Sequence, residues 1–393
     1  MTQIRIRPID DTPGTHVLII AVGYYRHLLG GPEERSKVHL GLSVLNSPPI
    51  SGVRLARWMI GGNGAGAGLY NPKAPLTTME VLISSENDET LTVAGCLHNI
   101  EPASLPLVQA GFDRWIKEVQ SNPNNVGVFY FCGHGLMGNG AEHILLLDDH
   151  GAYANRPFQT GSFDIANTVR ALWRQVPAQL YIFIDACRTY NRNVGDALGS
   201  RSDSLLEDGA SSENINSGTT WIDSTSDGEP AYGDSKGVSR FTEALMQALD
   251  GYCGIPQPGT PNWLVNGSAL SAAMPKLLSM VNKQRGGDSQ FCAPRPTGGR
   301  DAPLHITTQV PKVKVEIALS PEVFRLRSSY AIHNLADGTM MPITGGRAEG
   351  VWCTVANRGV YEVRIASAMH QPYLSGAQFF DPPYYHLPVE VEA

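Results

Sequence analysis

Two short segments hold the residue types that nucleophilic chemistry needs. In VGVFYFCGHGLMGNG an apolar run closes on Gly133-His134-Gly135, and in QLYIFIDACRTY another closes on Asp185-Ala186-Cys187-Arg188. A cysteine thiolate attacks a carbonyl carbon, and an imidazole takes the thiol proton and returns it to the leaving amine. Glycines on both sides of His134 let a substrate backbone approach and leave an N–H available to a developing oxyanion. Neither residue is informative alone. A cysteine at a strand end is more often an inert packed thiol, and a single histidine is more often structural. Their placement in the surrounding elements makes the pair informative.

The runs that lead into the two clusters, Gly127 to Phe131 and Gln179 to Ile184, are almost wholly apolar. That is the pattern of strands buried on both faces. His16 to Val22, Met79 to Ser84 and His143 to Leu147 read the same way. Helical stretches separate them, around Gly52 to Ile60, from Ser104 to Val119 with Leu107, Phe112, Trp115 and Val119 on one stripe, and from Asp164 to Gln175. Strands alternating with helices predict an α/β fold, a mostly parallel sheet flanked by helices on both faces. Functional residues in such sheets collect beyond the carboxyl ends of the strands. His134 and Cys187 therefore emerge on one edge of one sheet, within hydrogen-bond reach.

Downstream, the segment 191–218 is rich in Ser, Asn, Gly and Asp and reads as a long exposed loop. Regular structure resumes with a strand over Thr219 to Thr225 and helices over Ser239 to Leu249 and Ser268 to Lys283. From Ile306 the pattern changes to period-two alternation, in Val313, Val315, Ile317 and Leu319, in Val351, Cys353 and Val355, and in Tyr361, Val363 and Ile365. Turn signals at Asp337-Gly338 and Asn357-Arg358-Gly359 separate the runs. The expected organisation is an α/β domain over 1–305 and a small all-β, sandwich-like domain over 306–393.

Composition excludes several function classes. Across 393 residues, 42% are hydrophobic and 17% charged, and the formal charge is −7 without any run of Lys and Arg. Nucleic acid is not an expected partner, because neutralising phosphates takes clustered cations. The first eleven residues contain no apolar signal region, and Val17 to Val22 is far too short to span a bilayer. No membrane attachment is expected, and the expected location is the cytoplasm. The six cysteines, Cys96, Cys132, Cys187, Cys253, Cys292 and Cys353, include no CxxC pair. They suit a reducing compartment better than a zinc site or a disulfide framework.

Other candidate features have plainer readings. Cys132 reads as a packed strand residue. Asp148-Asp149 reads as a solvated turn, since one acidic pair offers too few ligands for calcium. Gly61 to Gly68 follows a helix and lacks the Gly-Lys-Ser/Thr ending of a phosphate loop. No HExxH spacing is present, so neither a metal nor a cofactor is expected.

The two motifs together resemble the caspase and metacaspase group of cysteine proteases, with bacterial caspase-like proteins the nearest in style. The caspase pattern sets a histidine about 50 residues before the cysteine, and here His134 precedes Cys187 by 53. THVLIIAVGYY resembles the family's first strand, LNSPPISGVRLARWMI its following helix, and GEPAYGD with SRFTEAL its small subunit. The resemblance covers Thr15 to His305. It implies a large-subunit-like part over 15–190, a linker over 191–218 and a small-subunit-like part over 219–305.

Carried over residue by residue, the resemblance makes Cys187 the nucleophile and His134 the general acid/base. The N–H groups of Gly135 and Cys187 would form the oxyanion hole. Asp185 stands where animal caspases carry glutamine, and metacaspases carry there an acid that lines the specificity pocket. An anion in that pocket implies cleavage after Arg or Lys. Asp227 or Asp223 is a candidate second pocket acid. Arg192 and Arg201, in the linker, are candidate processing sites for maturation, by the enzyme itself or by an activating protease. Protein or peptide substrates are the expected partners, with further recruitment through the C-terminal domain. Two alternatives stay open: a catalytically silent scaffold, and a latent zymogen activated by another protease. A role in bacterial stress, defence or regulated cell death follows by association only.

Overall fold

The continuous apolar runs become the centre of a seven-stranded sheet. A computed structural model describes residues 3–391 except 9–10, 38, 62–67, 138–141, 154–159, 191–202, 210–217, 227, 230, 234–235, 298, 344–350 and 368–370. The chain divides into two compact units, one of residues 1–246 with 266–306 and the other of 247–265 with 307–393.

The first unit begins with β1 (Gln3–Arg5) and β2 (Thr15–Val22), helix α1 (Ser47–Met59) and β3 (Leu76–Ser84). A hairpin, β4 (Thr90–Val93) and β5 (Cys96–Asn99), leads to α2 (Leu105–Gln120) and β6 (Val126–Gly133). Short strands follow, β7 (Gly135–Met137), β8 (His143–Leu146) and β9 (Ser162–Asp164), then α3 (Ile165–Gln175). Next come β10 (Gln179–Ala186), β11 (Thr189–Tyr190), β12 (Gly218–Asp223) and α4 (Arg240–Gln247). After the hairpin of β13 (Ile255–Pro256) and β14 (Trp263–Val265), which belongs to the second unit, come α5 (Gly267–Arg285), β15 (Ala293–Thr297) and β16 (His305–Thr307).

The main sheet has the order β1-β3-β2-β6-β10-β12-β15. Its five inner strands are parallel and its two edges antiparallel. Every residue of β2, β3, β6 and β10 is buried, which is why these strands read as largely apolar runs. On one face, Val108, Phe112 and Trp115 of α2 and Val169 and Leu172 of α3 share a core with Leu18, Phe129, Leu180 and Ile184. Burying one such large side chain contributes roughly 2–3 kcal/mol. On the other face, Gly52 of α1 packs on Ile19 and Ala21, and Thr242 of α4 meets the Tyr130 hydroxyl at 2.6 Å. Asp164 caps α3 by accepting from Ala166 N at 2.8 Å.

One strand is not where the sequence pattern puts it. His143 to Leu147 forms β8, but in a separate four-stranded sheet of order β11-β7-β8-β9. This smaller sheet grows out of the main one: β7 begins one residue after His134 and β11 two after Cys187. Gly133 pairs with Ala186 and Leu136 with Thr189, so both pairs keep the 53-residue offset that separates His134 from Cys187. The two residues occupy the break between two parallel pairings and are held level from both sides.

The second unit contains β17 (Lys312–Ser320), β18 (Ser328–Asn334), β19 (Met340–Pro342), β20 (Val351–Asn357), β21 (Gly359–Ser367), β22 (Tyr373–Phe380) and β23 (Tyr384–Glu390). They form two sheets, β20-β17-β23 and β19-β18-β21-β22. Val313, Val315, Ile317 and Leu319 of the first share a core with Tyr330, Ile332, Val363 and Ile365 of the second. The alternation on β20 has the opposite phase to the apparent one. Val355 is exposed, while Trp352 packs its ring 4.4 Å from Tyr330. With both phases of a short edge strand partly apolar, the larger side chain takes the core. The segment 247–265 joins this unit through polar and cation–π contacts. Lys314 Nζ donates to Gln247 Oε1 at 2.7 Å, and the Arg358 guanidinium lies 5.3 Å from the Trp263 ring. Among the described residues, no helix is long and apolar enough to cross a membrane.

Candidate active site

His134 and Cys187 line one cleft of about 270 Å³ at the carboxyl edge of the main sheet, together with Asp185, Cys132 and Ser239. The Val44–Pro48 segment entering α1 and the Ala231–Gly233 segment before α4 form its other walls.

His134 is held at three points. Its backbone N–H donates to the Tyr25 hydroxyl at 2.7 Å, and the two rings lie 4.9 Å apart. Gly133 makes this possible, because a Cβ there would stand 2.8 Å from the Tyr25 oxygen. The third hold is at the ring, where Nε2 lies 2.7 Å from the Ser43 carbonyl oxygen. A carbonyl can only accept, so Nε2 carries the proton and Nδ1 of the neutral ring keeps its lone pair. Burial lowers the His134 pKa to about 4, against the opposing pull of the Ser43 carbonyl. The ring is therefore neutral at pH 7 and able to accept a proton.

Cys187 is half-buried, and its Sγ accepts from Ala231 N at 3.2 Å. Burial raises the thiol pKa above its ordinary value, and the Ala231 N–H works in the opposite direction. Thiol and imidazole are thus both uncharged at rest. They face one cleft without a hydrogen bond between them, each engaged by a main-chain group. Gly135 lies directly against the Cys187 main chain: a Cβ on it would meet the Cys187 carbonyl oxygen at 2.5 Å.

Asp185 is 3% exposed and is the last residue but one of β10, one strand from Cys132, its pairing partner. Its Oδ2 accepts from Ser239 Oγ, from Thr242 Oγ1 at 2.8 Å and from Cys132 Sγ at 3.4 Å. Burial raises its pKa, and the Ser239, Thr242 and Cys132 donors counter that rise. No cation is among these partners.

Asp223 departs from its expected role as a pocket acid. It does not line the cleft. Its carboxylate is fully buried and accepts from Trp221 Nε1 at 2.8 Å, with Arg295 Nε at 3.2 Å and Arg188 Nη1 at 3.5 Å. Two guanidinium groups already occupy it. Asp227, Arg192 and Arg201 lie outside the described residues, as do most of the 191–218 linker and of the Gly61–Gly68 loop. Asp148 and Asp149 are not a solvated turn. Asp148 is 4% exposed and accepts from Ser84 Oγ at 3.0 Å and Arg26 Nη2 at 3.3 Å, while Asp149 accepts from Leu105 N at the start of α2. Among the described residues, no three His, Cys, Asp or Glu side chains are grouped to hold a metal ion.

Several contributors were invisible in the sequence. The Ser43 carbonyl and the Ala231 N–H are main-chain groups without a side-chain signature. Tyr25 was part of a motif but had no assigned role. Ser239 and Thr242 could have been suspected, since their i, i+3 spacing turns both toward one strand end.

The chain is similar to known proteins in part of its length. Residues 107–284 match the family model described as the caspase domain, peptidase group C14. The uncharacterized protein y4kE of Sinorhizobium fredii (strain NBRC 101917 / NGR234) is 29% identical over 285 residues, 70% of this chain and 80% of that one. The crystal structure of protein GSU0716 from Geobacter sulfurreducens aligns over 74% of this chain and 95% of its own, with a TM-score of 0.44 and 10% identity.

Proposed function

We propose that this chain, which carries a caspase-like domain, is a cysteine endopeptidase that cuts after Arg or Lys, with Cys187 as nucleophile and His134 as general acid/base. The observation that carries the reading is one cleft lined by a thiol, an imidazole with a fixed tautomer and a buried carboxylate that has no cationic partner among the described residues.

The chemistry follows from those groups. His134 Nδ1 takes the Cys187 proton as sulfur attacks the scissile carbonyl carbon, giving a tetrahedral oxyanion. The N–H groups of Gly135 and Cys187 are assigned to that oxyanion. Collapse breaks the C–N bond, the amine leaves with the proton held by His134, and a thioester remains. Water then attacks the thioester, His134 takes one of its protons, and the carboxylic acid and the thiol are released. Before attack, the scissile residue's guanidinium or ammonium pairs with Asp185, which ionises it despite its burial.

A latent resting form is the second reading, favoured by the Ala231 N–H on the nucleophile's sulfur. Attack requires that segment to release Sγ. Cleavage within 191–218, at Arg192 or Arg201, is the assigned trigger. The second unit is assigned to recruiting substrate or an activating protease, and no cofactor is assigned.

Purified wild type and Cys187→Ala are to be assayed on fluorogenic peptides ending in Arg, Lys, Asp, Asn or Leu, with and without calcium and with limited trypsin nicking. Cleavage after Arg or Lys is expected, and it disappears in Cys187→Ala. Hydrolysis that survives the substitution rules out the nucleophile, and a preference for Asp overturns the pocket.

A further inference from the structure

Behind the cleft lies a buried polar cluster that the reaction outlined above does not use. His143 on β8 is 1% exposed, and its Nδ1 stands 4.0 Å from Asp223 Oδ1. Asp223 in turn is held by Trp221, Arg295 and Arg188, the last of these the residue after the nucleophile. The other side of the His143 ring faces the catalytic strand break. At the point where a Cβ of Gly135 would sit, His143 Nε2 is 3.0 Å away and the Cys187 carbonyl oxygen 2.5 Å. The absent side chain of Gly135 is what lets ring and carbonyl converge.

The main chain on the far side of the Cys187 carbonyl is held by the 228–229 segment. Arg188 N donates to Glu229 O at 3.1 Å, and Gly228 N donates to Arg188 O at 2.9 Å. The Arg188 side chain is tied to Asp223. The Cys187 carbonyl lies on the His143 side.

His143 is a poor choice if stability were its purpose. Among the described residues neither ring nitrogen has a hydrogen-bond partner, and an unsatisfied buried polar group costs stability that an apolar side chain would not. Burial, with help from Arg188, keeps the ring neutral and lowers its pKa to about 3, while the Cys187 carbonyl pulls the other way. Ring and carbonyl converge on the space that Gly135 leaves open, without a formed hydrogen bond between them.

We propose that His143, backed by Asp223, is a positioning residue that supports the Cys187 carbonyl and so sets the backbone angle on which the direction of the thiol depends. Its kinetic consequence rests on the peptidase reading. Its structural core, the contact between ring and carbonyl, does not.

Cys187-Arg188 is the only Cys-Arg pair in the sequence, which gives a direct probe. Full-length protein labelled with carbonyl-13C cysteine and 15N arginine yields one HNCO cross-peak, from that peptide. In His143→Leu the peak is expected to move, with Tm unchanged or raised. kcat on an Arg peptide is expected to fall about 100-fold, the scale of a misplaced reacting group, with KM within about twofold. His143→Gln keeps an N–H donor and is expected to recover at least about tenfold of that loss. An unmoved cross-peak with kcat near wild type overturns the inference. So does an equal loss in both variants accompanied by a lowered Tm, which marks a purely structural histidine. If wild type cleaves no peptide, the peptidase reading fails by itself. The cross-peak then decides alone, its movement in His143→Leu keeping the inference and its constancy removing it.

Discussion

Asp185 and Asp223 are two buried carboxylates on adjacent parallel strands, and their surroundings give them opposite roles. Asp185 lies near the end of β10, and among the described residues it meets neutral donors, a serine, a threonine and a thiol. Asp223 ends β12 and meets two arginines and an indole N–H. The first has no charged partner among the described residues and lies in the same cleft as Cys187, as the proposed pairing with a cation from outside requires. The second has its partners inside the protein and serves to tie β12, β15 and the residue after Cys187 together. An acid at a strand end thus has no role until the charges around it are known.

Substitutions can separate the two roles. The largest expected effect is on stability. Asp223→Asn leaves Arg188, 3% exposed at its side chain, beside an uncharged partner, and removing one partner of a buried pair costs about 3–5 kcal/mol. Denaturant unfolding should register that loss, whereas the preference for Arg over Asp peptides in whatever remains folded should be unchanged. A changed preference would place Asp223 in the pocket after all.

Asp185→Asn is expected to do the reverse. The protein folds with a loss near 1 kcal/mol, since the amide still accepts from Ser239 and Thr242. Its kcat/KM on Arg peptides drops by about 100-fold, in keeping with a charge-assisted bond of about 3 kcal/mol. Arg and Leu peptides should then be cut at similar rates, and retained Arg selectivity would break the contrast.

Thr242→Val gives the smallest and sharpest test. The Thr242 hydroxyl favours the ionised form of Asp185, so removing it raises that pKa further. Less of the carboxyl is ionised at pH values below that raised pKa, where kcat/KM on Arg peptides falls about fivefold, worth about 1 kcal/mol. Because the loss is one of ionisation, it should diminish as pH rises through the raised pKa. A loss independent of pH would mean that the threonine acts by packing alone.

The contrast between the acids also marks what could be read from residues in order. Strands buried on both faces announced themselves as apolar runs, and the two catalytic candidates stood out because each directly follows such a run. β8 was legible as a strand but not as a member of the smaller sheet, because periodicity records burial and not pairing partners. The edge strands β1 and β15 were not legible at all, being short and broken by charge or proline. Nor was the membership of 247–265 in the second unit, which rests on Lys314, Arg358 and Trp263 meeting across long sequence separations.

By itself, the sequence determined the chemistry available and the level at which it is presented. A thiol and an imidazole 53 residues apart, each following an apolar strand, must lie side by side if those strands pair in parallel without slippage. Strand pairing preserves sequence offset, so the spacing survives folding. The tertiary structure alone decided what each group can do there. The His134 tautomer depends on the Ser43 carbonyl, the resting thiol on the Ala231 N–H, and the two acids on which of them the arginines reach. Charge and proton position are set within a few ångströms by groups from distant parts of the chain, and no local pattern of residues encodes that distance.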